Sequence, residues 1–352
     1  LFSYNFTTSS ENLKVMRIGI LTSGGDCPGI NATIRGVCKT AISHYGMEVY
    51  GIRSGFRGLL DNDIIPLDEN SLTGLLSMGG TILGTSREKP FKNRANVPVS
   101  EDKPAMMLKT IRERKLDCVV CIGGNGTQKT AAKLAATGVN VVTVPKTIDN
   151  DVWGTDISFG FDSAVSIATE AIDRLHSTAS AHQRVMVIEV MGHKAGWIAL
   201  YSGMAGGGDI ILLPEIPFDI HRIGDTIINR LKKGKPYSIV VVAEGIPTLG
   251  GKKAAQYIAE EIEYETGFET RETVLGYIQR GGGPTAFDRN LATRMGGHAT
   301  ELIASGQFGR MVSLRGSEIT SVPLGEVAGK LKLVTEEHDL VIQGRRMGIC
   351  FG

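Results

Sequence analysis

Short β-branched runs that end in paired glycines and lead into residues with helical spacing restrict the fold of this chain more than any other feature. Arg17–Thr22 (RIGILT) reads as a buried strand ending in Gly24-Gly25. Ile34, Val37, Cys38, Ala41, Ile42 and Tyr45 then recur at the spacing of an amphipathic helix. Leu116–Ile122 is a second such strand, ending in Gly123-Gly124 with a helix from about Thr127. Glu48–Arg53, Val141–Val144, Val185–Val190, Asp209–Leu213, Ser238–Ala243 and Thr273–Ile278 are predicted as further strands. Ala164, Val165, Ala168, Ala171, Ile172 and Leu175 mark another helix. Alternation on this scale predicts an α/β protein of two doubly wound, mostly parallel sheets with helices on both faces. Glycine supports this: 45 of 352 residues, about 13% against a usual ~7%, with pairs placed where strands turn into helices.

The length fits two domains at about 150 residues each. No Pro/Ser-rich linker separates them, so the chain is expected to cross between domains through a regular element. The expected division is 16–160 with 280–330 for one domain and 161–279 with 331–352 for the other. Residues 1–15 are polar and Ser/Thr/Asn-rich, and are expected to be a flexible extension rather than a secretory signal. Lys and Arg number 38 against 37 Asp and Glu, a net charge of +1, which argues against a nucleic-acid partner. No apolar run approaches the roughly 18 residues of a membrane span. Five scattered cysteines do not make a disulfide framework, and the expected compartment is a reducing cytoplasm. Cys118-Val-Val-Cys121 has redox or zinc spacing, but no second pair completes a site, so the two are read as core residues of a strand.

In open α/β sheets ligands bind beyond the carboxyl ends of the strands. Thr22–Asn31 (TSGGDCPGIN) and Gly123–Thr127 (GGNGT) each follow a strand and open a helix. Their glycines let backbone approach a phosphate, and the helix N-termini offer free N–H groups to it. No G-x-G-x-x-G or G-x-x-x-x-G-K-[ST] motif follows a strand, which removes support for a nicotinamide oxidoreductase or a P-loop protein. Pro145–Asp151 (PKTIDND) packs a lysine, a hydroxyl and two carboxylates at the end of a strand. These are the groups phosphoryl transfer needs: a base for the acceptor hydroxyl, a carboxylate for a metal and a cation for phosphate.

Together these segments resemble the phosphofructokinase family. The resemblance continues through Gly80–Arg87 (GTILGTSR), Glu170–Leu175, His182–Arg184, Glu189–Gly192, Glu244, and Arg271 through Val274–Gly276 to Gln279–Gly282, covering roughly Met16 to the low 300s. It implies transfer of a phosphoryl group from a donor, with Mg2+, to the 1-hydroxyl of fructose 6-phosphate. By position Asp149 is the general base, with Thr147, Asp151 and Arg87 beside it in catalysis. Gly25, Arg87, Gly124, Asn125, Gly126, Thr127 and Lys146 are the donor set. Thr147, Ile148, Asp149, Arg184, Met191, Gly192, His193, Glu244, Arg271, Tyr277 and Arg280 are the sugar-phosphate set. The first domain would bind the donor and the second the sugar phosphate. In the family some of the arginines come from a neighbouring subunit, which implies a homo-oligomer, a tetramer most often.

Several positions depart from the family pattern, among them Lys39 and His176, which stand where arginines are frequent in the effector site, and three in the active-site motifs. Asn125 stands where the family has a magnesium-linked Asp, so a metal would rest on Asn125 and Asp151. His193 replaces an arginine, and Tyr277 replaces a histidine common in bacterial members. ATP is the expected donor, with pyrophosphate as the alternative. Gly126 leaves room for a nucleotide, whereas Lys146 resembles pyrophosphate-dependent and mixed-donor members. A non-catalytic sugar-phosphate-binding subunit is the reading from another class, and the retained Thr147, Asp149, Asp151 and Arg87 argue against it.

Overall fold

The computed structural model describes residues 15–91 and 102–352, so the predicted N-terminal extension, Val15 apart, lies outside the described residues. In chain order the elements are β1 (Arg17–Ser23), α1 (Ile30–Lys39), β2 (Glu48–Ile52), α2 (Phe56–Asp61), β3 (Ile64–Leu67), α3 (Lys103–Glu113), β4 (Cys118–Gly123), α4 (Asn125–Ala135), β5 (Val141–Pro145), α5 (Phe161–His182), β6 (Val185–Val190), α6 (Trp197–Ala205), β7 (Ile210–Leu212), α7 (Ile220–Lys232), β8 (Ser238–Ala243), α8 (Ala254–Thr266), β9 (Thr270–Val274), α9 (Ala286–Ala304), β10 (Arg310–Arg315), β11 (Glu318–Pro323), α10 (Leu324–Val327) and α11 (Asp339–Arg346). Among the described residues the strands form two sheets, one ordered β11-β10-β5-β4-β1-β2-β3 and one ordered β7-β8-β6-β9. The second is parallel throughout, and the first is parallel except for its edge strands β3 and β11.

Strand alternation distributes the core. Along β4, Cys118, Val120 and Ile122 face a layer containing Ile30, Ile34 and Val37 of α1 and Leu291 and Met295 of α9. Val119 and Cys121 face the opposite layer, with Met107 and Ile111 of α3 and Leu134 of α4. Residues three apart on a strand point to opposite faces, so Cys118 and Cys121 cannot share a metal or a disulfide. Burial raises both thiols above their ordinary range. On β6, Met186, Ile188 and Val190 join the first layer while Val185 and Val187 face a third, so one continuous core runs between the two sheets.

The strand expected at Thr273–Ile278 lies earlier, at Thr270–Val274, and Gly276–Arg280 is a 3-10 helix. β9 is an edge strand whose Arg271 and Glu272 are exposed, so it lacks the apolar signature that marked the others. The chain leaves extended geometry at Gly276, where φ is +53°. The antiparallel edge strand β3 and the β10–β11 pair also have no counterpart among the strands predicted from sequence.

Part of the glycine excess has a reason the strand-turn reading does not include. A Cβ on Gly36 of α1 would sit 2.7 Å from the Thr293 carbonyl oxygen, and one on Gly296 of α9 would sit 2.5 Å from the Thr33 carbonyl oxygen. The two helices therefore meet backbone to backbone, directly under β1, β4 and β5. Gly296→Ala is expected to destabilise the protein by about 1–3 kcal/mol through overpacking. Gly297→Ala, whose added methyl meets Thr40 Oγ1 at 3.4 Å, should be neutral or stabilising by up to about 1 kcal/mol through helix propensity. Denaturant unfolding of both variants at one protein concentration checks the contrast; equal effects would remove the close-approach explanation.

Candidate active site

The carboxyl ends of strands from both sheets turn toward one cleft of about 790 Å3. Gly24 and Gly25 enter it after β1, Gly124–Thr127 after β4, Lys146–Asp151 after β5, His193 after β6 and Arg280 after β9. In the first sheet the strand order reverses between β1 and β4, because β2 lies on one side of this pair and β5 on the other. Such a reversal separates the loops above it and opens a crevice for a ligand.

Short backbone bonds hold each wall. Gly24 N–H donates to the Ser86 carbonyl at 3.0 Å, and Thr85 Oγ1 donates to the Gly24 carbonyl at 2.6 Å, so the loop after β1 fixes the segment carrying Arg87. Gly124 opens α4 without a capping side chain, and α4 presents the N–H groups of its first turn at the cleft. That is an anion cradle. A Cβ on Gly124 would come within 3.3 Å of the Lys146 carbonyl oxygen, whereas one on Gly126 would meet nothing within 4 Å. Lys146 is buried, and its Nζ donates to the Gly25 carbonyl, tying the loop after β1 to the loop after β5. Burial lowers its pKa, against the opposing pull of Cys27 and Asp149.

Thr147 Oγ1 accepts from the Asp149 N–H at 3.1 Å, and Ser158 Oγ donates to the Thr147 carbonyl at 3.0 Å. Asp149 Oδ1 is buried without a hydrogen-bond partner. Burial raises the Asp149 pKa, Arg280 and His193 pull it down, and Glu244 pushes it up. Asp151 rises to about 6, first from burial and then from the charge of Asp149. Asn125 Nδ2 donates to the Asp151 carbonyl at 3.3 Å, which joins the two residues expected to meet a metal. Across the cleft Glu244 Oε1 accepts from His193 N–H at 2.8 Å and from Gly192 N–H at 3.3 Å. Arg280 Nη1 donates to the Asp26 carbonyl at 3.1 Å, and its Nε is buried and unpartnered.

Of the expected residues, Gly25, Arg87, Gly124, Asn125, Gly126, Thr127, Lys146, Thr147, Asp149, Asp151, His193 and Arg280 line this one cleft. Ile148 is fully buried in the core, so only its backbone is left for a ligand. Met191 N–H is held by Gln279 Oε1 at 3.2 Å, behind the cleft wall. Tyr277 is 75% exposed and stands away from the cleft. Arg184 and Arg271 lie at the amino ends of β6 and β9, the opposite end of the second sheet from His193. Both are paired there with Glu269, Arg184 Nε at 2.6 Å. Six residues of strand, roughly 20 Å at about 3.3 Å each, separate Arg184 from the carboxyl end of β6. Sequence reasoning missed Arg57, Lys89 and Lys103 on the outer wall, Lys103 paired with Glu88 at 3.0 Å. Glu88 and Lys89 directly follow Arg87, and that adjacency was the available signal.

Comparison with known proteins agrees with this geometry. Residues 17–303 match the family model described as Phosphofructokinase. The chain is 80% identical over 337 residues to ATP-dependent 6-phosphofructokinase 3 of Bacteroides thetaiotaomicron, covering 96% of this chain and 100% of that one. It is 54% identical over 359 residues to ATP-dependent 6-phosphofructokinase of Spirochaeta thermophila, covering 95% and 97%. The crystal structure of pyrophosphate-dependent phosphofructokinase from Marinobacter aquaeolei superposes with a TM-score of 0.81 at 25% identity, covering 96% of this chain and 89% of that one. With a family model matched over residues 17–303 and relatives 80% and 54% identical along nearly their whole length, the chain belongs to the phosphofructokinase family.

Proposed function

We propose that this protein is an ATP-dependent 6-phosphofructokinase, moving the γ-phosphoryl group of ATP to the 1-hydroxyl of fructose 6-phosphate. The observation that carries the reading is Asp149: a cleft carboxylate with a buried, unpartnered oxygen, between the α4 anion cradle and the His193 loop. In the step, Asp149 takes the proton of the 1-hydroxyl, the new O–P bond forms, and the bond from the γ-phosphorus to the bridging oxygen breaks to release ADP. Thr147 orients Asp149 through its backbone. Arg87 and the α4 N-terminus face the charge on the transferring group, a role worth a few kcal/mol for a single well-placed donor. Loss of a general base typically removes about 10²–10⁴ in rate. Asp149→Asn should therefore lose turnover by that factor while keeping parent circular dichroism and oligomer size; near-parent kcat in a coupled assay rejects Asp149 as the base.

Mg2+ is bound in proteins through one or two carboxylates together with substrate phosphates. Among the described residues no three His, Cys, Asp or Glu side chains converge into a metal cage. Asp151, with the Asn125 side chain beside it, fits an ion that arrives on the nucleotide, and these two residues would hold it. When bound, such an ion offsets negative charge on the phosphoryl oxygens.

The donor reading rests on Gly126. The space beside it is open, so an aspartate introduced there would place a carboxylate near the α-phosphate, at a cost on the order of a few kcal/mol at intermediate dielectric. Pyrophosphate lacks that phosphate and the nucleoside. Gly126→Asp should lower kcat/KM for ATP strongly and for pyrophosphate less, or not at all. An unchanged ratio of the two would remove Gly126 from the donor wall. Lys146 places its charge under the same cradle while bracing the loop after β1.

Residues 16–160 with 280–330 form the donor-binding unit in this reading, and 161–279 with 331–352 the sugar-phosphate unit. Arg184 and Arg271 are too far along the second sheet to reach the cleft of their own chain, so a second copy supplies them and the enzyme is a homo-oligomer, a tetramer by family resemblance. Mixing Asp149→Asn with Arg271→Ala chains after dissociation and reassembly should restore activity to some sites, each mutant alone being impaired. Mixtures no more active than the sum of the parts would place both groups in one chain's site. No helix among the described residues is long and apolar enough to cross a membrane, and we place the protein in the cytoplasm.

A further inference from the structure

Lys332 lies outside the cleft, on the segment between α10 and α11, yet it is bonded to the back of the catalytic loop. Its ammonium has three N–H donors, and all three are used. Nζ donates to Asn150 Oδ1 at 2.9 Å, to the Thr155 carbonyl at 3.0 Å and to the Asp156 carbonyl at 2.6 Å. Its backbone N–H donates to the Asp151 carbonyl at 2.9 Å, beside a bridge between Val152 and Leu331. Its own carbonyl accepts from Trp197 Nε1 at 2.9 Å, and Nζ sits 5.4 Å above the Trp197 ring. Trp197 opens α6, four residues after His193. One residue therefore contacts both the loop after β5 and the segment after β6.

Asn150, between the two cleft carboxylates, has φ +50°. Left-handed geometry is uncommon outside glycine and Asn tolerates it best, but it persists in a fixed form only where surroundings hold it. Here the Asn150 amide oxygen is gripped from two sides, by Ser158 N–H at 3.1 Å and by Lys332 Nζ. The turn at Asn150 sets the directions in which Asp149 and Asp151 leave it. We propose that Lys332 is a positioning residue for phosphoryl transfer, fixing the Asp149–Asp151 turn against the His193–Trp197 segment without touching substrate. The inference rests on the 6-phosphofructokinase reading. Burial, which brings the Lys332 pKa down to about 8, is consistent with an ammonium kept for its bonds rather than for solvent.

The test is steady-state kinetics with ATP and fructose 6-phosphate on the parent, Lys332→Met, Lys332→Arg, Asn150→Ala and the Lys332→Met/Asn150→Ala double variant. Circular dichroism and gel filtration establish the folded fraction. Small misplacements of reacting groups cost up to about 100-fold, so Lys332→Met should lose about tenfold or more in kcat, with KM for both substrates within about twofold of the parent. Lys332→Arg, which keeps charged donors, should recover part of the loss. The double variant should lose less than the product of the two single losses, since each single variant already deletes the Lys332–Asn150 bond they share. A parent without turnover would sink the functional reading itself. With an active parent, Lys332→Met that is folded and retains kcat, that changes KM alone, or that adds independently to Asn150→Ala overturns the positioning role. If Lys332→Met does not fold, Asn150→Ala and Trp197→Phe decide: parent kcat in both overturns the proposal, and a loss of kcat at constant KM in both supports it.

Discussion

Lys146, Asp149 and Asp151 are held largely out of water within six residues at the end of β5, and most of what surrounds them answers to that fact. An isolated charge loses several kcal/mol on leaving water, and removing one partner of a buried pair commonly costs 3–5 kcal/mol, by rough measure. The protein meets this with fixed dipoles and opposite charges rather than a single ion pair. Lys146 is satisfied by the Gly25 carbonyl, Asp149 lies in the fields of Arg280 and His193, and Asp151 has Asn125 beside it. Asp149 Oδ1 is left without a donor. In the proposed reaction, that is the atom a substrate hydroxyl would meet.

Glycine makes the arrangement compact. Beyond the α1–α9 contact, a Cβ on Gly245 would sit 2.1 Å from the His193 carbonyl oxygen, so the loop after β8 can rest directly on the loop after β6. That approach puts Glu244 where one of its oxygens takes the N–H groups of both Gly192 and His193. His193, at φ +55°, is held by this carboxylate in a left-handed conformation that is uncommon outside glycine. The imidazole is thereby presented to the cleft from the second sheet, opposite the carboxylates of the first.

Segments that are buried on both faces were legible in the sequence, because a parallel central strand reads as a continuous apolar run. β6 and β8 have the predicted bounds, and β1, β2, β4, β5 and β7 lie within two residues of theirs. β9 was misplaced because an edge strand with charged Arg271 and Glu272 carries no such run. The cleft residues next to strand ends were legible for the same topological reason, since the ends of parallel strands converge whatever the loops contain. Ile148 was counted as a sugar contact from its place in the motif, but position in a motif does not tell which way a side chain points. Lys332 left no local signal at all: its bond to Asn150 spans 182 positions, and neither residue type is unusual where it stands.

The departure at Asn125 is intelligible from the charges around it. Asp149 and Asp151 already line the cleft, Glu244 adds to the negative field on Asp149, and burial raises both cleft carboxyls above the ordinary carboxylate range. A further carboxylate at 125 would raise them more by like-charge repulsion. It would also have no N–H to give the Asp151 carbonyl, a bond that Asn125 makes at 3.3 Å. Asparagine adds a donor that ties the α4 N-terminus to the loop after β5. In the proposed reaction the electrostatic pull on a cation would be weaker by one charge, and the bond from Asn125 ties α4 to the loop after β5 in its place.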